Sequence, residues 1–215
     1  MKKKLFELRK SYDKLSIDFE KLPSHPMDLF KIWFDEVSSH EGVDEVNAFT
    51  LSTINSIGDL RSRVVLLKKI VNESFIFFTN YGSKKAKEAF SVNKAAFNLH
   101  WKTLRRQIRV RGHVEKEDGI IADKYFSERE VGSQTAAWAS KQSETLTDRQ
   151  ELIERWQSYK NQFEKNVGRP DFWGGIRIKP IQIEFWADGQ YRLHDRFLWE
   201  RELGEKSWSV SRLYP

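Results

Sequence analysis

Arg192, His194 and Arg196 stand at alternate positions just after an Asp188-Gly189 turn, inside the segment FWGGIRIKPIQIEFWADGQYRLHDRF that runs from Phe172 to Phe197. Strand periodicity puts the three basic groups on one face. They repel one another there unless an anion or an electron-rich ring lies between them. Asp195 falls on the opposite face, poorly placed to neutralise them. The same segment carries Trp173, Trp186 and a pair of adjacent glycines. Aromatic faces beside fixed cationic forks are what a flat, anionic, ring-containing ligand requires.

Four other clusters invite chemistry, each with a plainer reading beside it. Arg63 and Lys68 are embedded in the apolar run LRSRVVLLK. A buried Arg63 must find an anion or a carboxylate, whereas on an edge strand both charges sit in water. Alternation places the two on opposite faces unless a bulge, a twist or a subunit seam intervenes. The stretch TNYGSKK, Thr79 to Lys85, is either a phosphate cradle at a helix start or an ordinary strand-turn-helix junction with surface lysines. In Arg105 to Arg111, Arg105, Gln107, Arg109 and Arg111 share a polar face; that is a ligand groove or a solvated surface, and the Gln107 amide can both donate and accept. Tyr125, Arg129 and Ser133 are spaced four and four, so an unbroken helix offers all three to one phosphate, although Gly132 interrupts it. The polar run Ser140 to Ser143 completes the set as a candidate binding loop or simply a loop.

What is missing narrows the chemistry. There is no cysteine, hence no disulfide and no thiolate catalysis or ligation. No GxGxxG, P-loop or GxSxG occurs, and the five histidines lack metal-ligand spacing. Any enzyme chemistry is therefore expected from a bound organic cofactor. The net charge of +6 raises nucleic acid as a partner, but acidic residues are interleaved throughout and only Arg105 to Arg111 is dense. No apolar run is long enough to span a bilayer and the basic start lacks an apolar h-region, so a cytoplasmic location is the default expectation.

The elements that must position these groups are mostly short strands. Helices are predicted over Met27–Val37, Ser83–Ser91, Asp118–Glu128 and Thr147–Phe163 from apolar spacing. Strands are predicted over Asn47–Ile54, Leu60–Ile70, Ser74–Thr79, Ala95–Trp101, Arg105–Glu115, Ile181–Trp186, Tyr191–Trp199 and Ser207–Arg212. Consecutive strands joined by turns are wrong for a doubly wound parallel sheet and favour a mainly β, antiparallel barrel with peripheral helices. Residues 1–25 are expected to be a mobile segment and 26–215 one domain.

Several of these pieces, in order, resemble the pyridoxamine 5'-phosphate oxidase family: RVVLLK (63–68), FFTNYGSKK (77–85), RQIRVRG (106–112), YFSER (125–129), FWGG (172–175), QIEFW (182–186) and RLHDRF (192–197). The resemblance implies an antiparallel split β-barrel that binds FMN at the interface of a homodimer. It implies oxidation of pyridoxamine or pyridoxine 5'-phosphate to pyridoxal 5'-phosphate by O2, with no role for nucleic acid or membrane. It assigns FMN to Arg63, Lys68, Phe78, Thr79, Ser83, Lys84, Lys85, Gln107, Gln142, Ser143, Trp186 and Arg196. Substrate falls to Lys68, Tyr125, Arg129 and Ser133, with Arg192 and His194 at the reacting end and, most loosely, Arg9 and Tyr12. Phe78 stands where the family commonly has Tyr, and Lys84 where it often has Arg, which keeps the charge but loses the bidentate fork. The competing expectations are a related flavin oxidoreductase with another substrate and a basic nucleic-acid-binding module.

Overall fold

The computed structural model describes residues 21–163 and 166–215; Arg9 and Tyr12 fall outside them. The chain groups into two compact units. The first comprises residues up to Val46, Asn98–Val110 and Ile181–Pro215; the second comprises Asn47–Phe97 and Arg111–Pro180. In chain order the elements are α1 (Pro26–Ser38), β1 (Ala48–Ile54), β2 (Leu60–Leu66), β3 (Lys69–Val71), β4 (Ser74–Asn80), α2 (Lys84–Val92), β5 (Lys94–Trp101) and β6 (Arg106–Glu117). There follow α3 (Ile120–Ser127), α4 (Val131–Ala139), α5 (Arg149–Phe163), β7 (Trp173–Ala187), β8 (Asp195–Glu200) and β9 (Ser209–Arg212). Hydrogen bonding orders the strands β2-β1-β5-β6-β7-β4-β3, with β8 on β7 and β9 on β8, an open path rather than a closed one. No helix among the described residues is long and apolar enough to cross a membrane.

In the second unit β1 and β2 form the expected hairpin, with Ile54 opposite Leu60 and Ala48 opposite Leu66. Its turn is held by Asn55, whose Oδ1 accepts from the amides of Ile57 and Asp59, and Gly58 supplies the positive φ of +93°. Phe49 and Leu51 alternate inward from β1, and Phe75, Ile76 and Phe77 are buried along β4. Phe49 meets Phe77 at 5.7 Å and Phe97 at 4.7 Å between ring centroids. Each such buried ring contributes roughly 1.5–3 kcal/mol. β4 pairs antiparallel with β7, setting Asn80 opposite Trp173 and Thr79 opposite Gly174.

The first unit is organised by α1, where Pro26 occupies the first turn and the His25 side chain caps the amide of Met27. Leu29, Phe30, Trp33 and Val37 are buried, as their helical spacing predicts. Trp33 and Trp199 each meet the Phe185 ring edge-on at 5.2 Å.

Four sequence expectations need correction. The strand predicted over Leu60–Ile70 is two strands, because it breaks at Leu67 and Lys68, where the amides turn to bond Asn47 and Ile76. Arg63 and Lys68 therefore do not share one strand, and their alternation has no meaning. The interruption expected at Gly132 in the Tyr125, Arg129 and Ser133 spacing comes earlier: α3 ends at Ser127, Arg129 lies in the link, and Gly132 and Ser133 lie in the first turn of α4. The strand expected from Tyr191 begins only at Asp195, because Gln190–Arg192 is a short 3-10 turn with positive φ at Tyr191 (54°) and Arg192 (69°). Arg192, His194 and Arg196 thus do not line one strand face. Finally, β7 starts eight residues before the predicted Ile181, at Trp173, and runs through Pro180.

Candidate active site

The second unit contains a cavity of about 410 Å3 lined by Lys68, Phe78, Thr79, Lys85, Tyr125, Arg129, Gln142 and Trp173, among others. β4 supplies Phe78 and Thr79, α2 supplies Lys85, α3 supplies Tyr125, and β7 supplies Trp173. One side is aromatic. Phe78 stacks on Tyr125 at 4.1 Å and on Trp173 at 5.6 Å, with planes within 11° and 7° of parallel. The Arg129 guanidinium lies 4.8 Å over the Trp173 ring.

The other side is a polar triangle. Lys85 Nζ donates to Thr79 Oγ1 and to Gln142 Oε1, both at 3.1 Å, and Thr79 Oγ1 donates to Gln142 Oε1 at 3.0 Å. Burial, and then the nearby positive charge of Arg63, push the Lys85 ammonium down to about 8. Burial also lowers Arg129, whose Nη1 is buried without a hydrogen-bond partner. Among the described residues Arg129 has no carboxylate partner, which leaves its charge available to an anionic ligand.

Arg63, Ser83, Lys84, Ser133 and Ser143 lie outside the lining of this cavity. Arg63 has found the carboxylate that its setting demanded. Its Nη1 donates to Thr53 Oγ1 at 2.6 Å, and its Nη2 stands 3.5 Å from Glu88 Oε2. Glu88, 5% exposed on α2, also accepts from Thr53 Oγ1 at 2.6 Å and pairs with Arg61. Burial raises the Glu88 carboxyl, but the hydrogen bonds from Thr53 and Arg61 outweigh it and hold the group below its ordinary range. Ser83 precedes α2 in extended conformation without capping it; its hydroxyl is fully buried and has no partner. Lys84 and Ser143 are exposed, and Ser143 has a φ of 77°.

The first unit holds the remaining expected residues. Glu184 on β7 accepts from Arg196 Nε at 2.8 Å and from Arg109 Nη1 at 2.9 Å. Arg196 Nη1 also donates to the Tyr214 carbonyl at 2.9 Å. His194 tilts against Trp186 at 4.7 Å. Its Nδ1 accepts from the Gly189 amide at 3.2 Å and lies 2.9 Å from Asp188 Oδ1. Arg192 is exposed and makes no hydrogen bond or ion pair with the described residues. Gln107 is half-buried on β6. Arg196 is therefore neutralised by Glu184, and His194 stands beside Asp188, placements that no local sequence pattern announces. Asp195 is paired with Arg212 at 2.6 Å instead.

Residues 38–161 match the family described as pyridoxamine 5'-phosphate oxidase, and residues 173–215 match the pyridoxine 5'-phosphate oxidase C-terminal dimerisation region. The chain belongs to the pyridoxamine 5'-phosphate oxidase family. The pyridoxine/pyridoxamine 5'-phosphate oxidase of Roseobacter denitrificans is 49% identical over 191 residues, covering 89% of this chain and 94% of that protein. That of Chromohalobacter salexigens is 42% identical and covers 97% of both chains. Among solved structures, PhzG from Burkholderia lata, in complex with tetrahydrophenazine-1-carboxylic acid, superposes with a TM-score of 0.87 at 30% identity, covering 96% of this chain and all of that one. A pyridoxamine 5'-phosphate oxidase-related FMN binding protein from Nostoc punctiforme has the same fold, with a TM-score of 0.69 at 13% identity, covering 87% and 96%.

This member of the oxidase family offers donors that suit phosphorylated, ring-bearing ligands. The unpartnered Arg129 Nη1 and the crowded Lys85 ammonium, both on the cavity wall, are groups that a phosphate would suit. Stacked Phe78, Tyr125 and Trp173 add aromatic surface of the kind that planar rings use.

Proposed function

We propose that the chain oxidises pyridoxamine 5'-phosphate or pyridoxine 5'-phosphate to pyridoxal 5'-phosphate, with bound FMN as its acceptor and O2 as the final oxidant. The observation that carries the reading is the half-buried Arg129, whose covered Nη1 has no partner, in one cavity with Lys85, Thr79 and Gln142. Two phosphates must be held, and the chain has two groups of donors for them. Lys85, Thr79 and Ser83, with Arg63 and Lys84 contributing charge, take the cofactor's phosphate. Gln107, Gln142, Ser143, Trp186 and Arg196 take the rest of the cofactor. Lys68, Tyr125, Arg129 and Ser133 take the substrate's phosphate.

When bound, FMN supplies the two-electron acceptor for the hydrogen leaving the substrate's C4' carbon, and O2 is then reduced to hydrogen peroxide. The residues contribute position more than acid–base chemistry. The anchored phosphate converts the meeting of ring and cofactor into an intramolecular event. Arg192 orients the amine or alcohol, and His194, backed by Asp188 and Trp186, supports it. The product imine from the amine substrate hydrolyses with water to aldehyde and ammonia. The cofactor lies at the interface of a homodimer, and residues 26–215 act as one functional domain.

The visible spectrum tests this directly. The protein should be yellow with two flavin bands, bleach on anaerobic addition of pyridoxamine 5'-phosphate and recover in air. A yellow protein that fails to bleach moves the reading to another substrate, which the likeness to PhzG favours as the second possibility. A protein that stays colourless with added FMN sinks the oxidase reading.

A further inference from the structure

We propose that Trp173 is a positioning residue that sets the enzyme's preference for phosphorylated substrate by holding Arg129 and Tyr125 in place. The inference rests on the assignment of Arg129 to the substrate phosphate. Arg129 lies in the link between α3 and α4, where no carboxylate and no side-chain hydrogen bond among the described residues fixes its guanidinium. What holds it is aromatic: the Trp173 ring at 4.8 Å and the Phe126 ring at 5.7 Å. A cation over an indole face is attracted by the ring quadrupole, most strongly for Trp and when desolvated. A carboxylate in that place would neutralise the guanidinium and compete with phosphate. A ring orients it and leaves its charge available.

Trp173 bears on Tyr125 mainly through Phe78, which stacks on Tyr125 at 4.1 Å and on the indole at 5.6 Å. The Tyr125 and indole planes lie 4° apart at 6.2 Å. The indole is itself held through its backbone. Its carbonyl accepts from Arg169 Nη1 at 2.7 Å, and its amide donates to Pro170 at 2.9 Å. Gly174 lets Tyr81 approach, since a Cβ there would lie 2.1 Å from the Tyr81 hydroxyl. Those anchors survive loss of the ring, so strand placement and Arg129 placement are separable by mutation.

The test compares inhibition of the FMN-loaded enzyme by pyridoxal 5'-phosphate and by pyridoxal, which differ only in the phosphate. Trp173→Leu should weaken pyridoxal 5'-phosphate ~10-fold more than pyridoxal, the loss expected for one desolvated cation–π contact. Trp173→Phe, which keeps a ring, should lose only a few-fold and covers the case in which the leucine variant does not fold. Equal weakening of both ligands, or none, in either variant that folds would show that the indole only packs, and would overturn the proposal. Arg129→Ala is the control: if it leaves the ratio of the two inhibition constants unchanged, the phosphate assignment itself has failed.

Discussion

Lys85 makes the site sensitive to pH in a way that can be signed. Its folded pKa, about 8, lies below the ordinary 10.5, so between those values the unfolded chain binds more protons and stability from this group rises with pH. Binding runs the other way, because an anionic phosphate favours the charged lysine. FMN affinity should therefore fall as pH rises from about 7.5 to 9.5, with proton uptake on binding visible in calorimetry. Lys85→Arg, permanently charged, should flatten that profile; an unchanged slope would remove Lys85 from the phosphate site. Arg129→Ala should raise KM for pyridoxamine 5'-phosphate ~10- to 100-fold, the worth of one charge-assisted hydrogen bond, while flavin stays bound. Arg192→Ala should lower kcat as well, because its exposed guanidinium is assigned to the reacting end. A kcat equal to that of the parent enzyme would take Arg192 out of that role.

At the scale of elements, β6 and β7 are paired neighbours that approach closely. Gly112 on β6 has room for no side chain, because a Cβ there would stand 2.2 Å from the Lys179 carbonyl oxygen on β7. That obstacle is backbone and cannot rotate away. Gly112→Ala should force the strands apart at a cost of ~1–3 kcal/mol or more, and a fall in thermal midpoint of several degrees checks it. Helix α2 shows the opposite device, attachment by charge. Glu88 ties it to Thr53 on β1 and to Arg61 and Arg63 on β2. Burying that carboxylate is tolerable only because every oxygen is bonded. The placement of Lys85 one turn before Glu88 on α2 follows from the same anchor.

For the whole molecule, residues 173–215 match a dimerisation region, and the proposed function puts the flavin at the seam between two copies. On that proposal, diluting the holoenzyme should release flavin over the same concentration range in which the dimer dissociates. Flavin fluorescence and sedimentation, measured together, check the coincidence; flavin retained by a monomer would place the cofactor within one subunit.

Much of this protein was determined by local pattern. The alternation in β1, the Asn55–Gly58 turn and the buried stripe of α1 arise between near neighbours, so periodicity and turn chemistry reveal them. The ordered succession of short motifs likewise sufficed to point to the oxidase family. Tertiary structure alone decided which charges are paired. Glu88 reaches Arg63 across 25 residues and Glu184 reaches Arg109 across 75, contacts with no sequence signature because packing between distant elements creates them. It also broke the expected runs at Leu67–Lys68 and Glu128–Glu130, and bent Tyr191 and Arg192 out of a strand. At Leu67–Lys68 amide bonds to Asn47 and Ile76 outweighed the local preference. At Glu128–Glu130 the Gln134 side chain donates to carbonyls in and beside the link, and at Tyr191 and Arg192 the backbone is left-handed. A uniform period cannot register such competition, because its outcome depends on side-chain and backbone partners that lie outside the repeat.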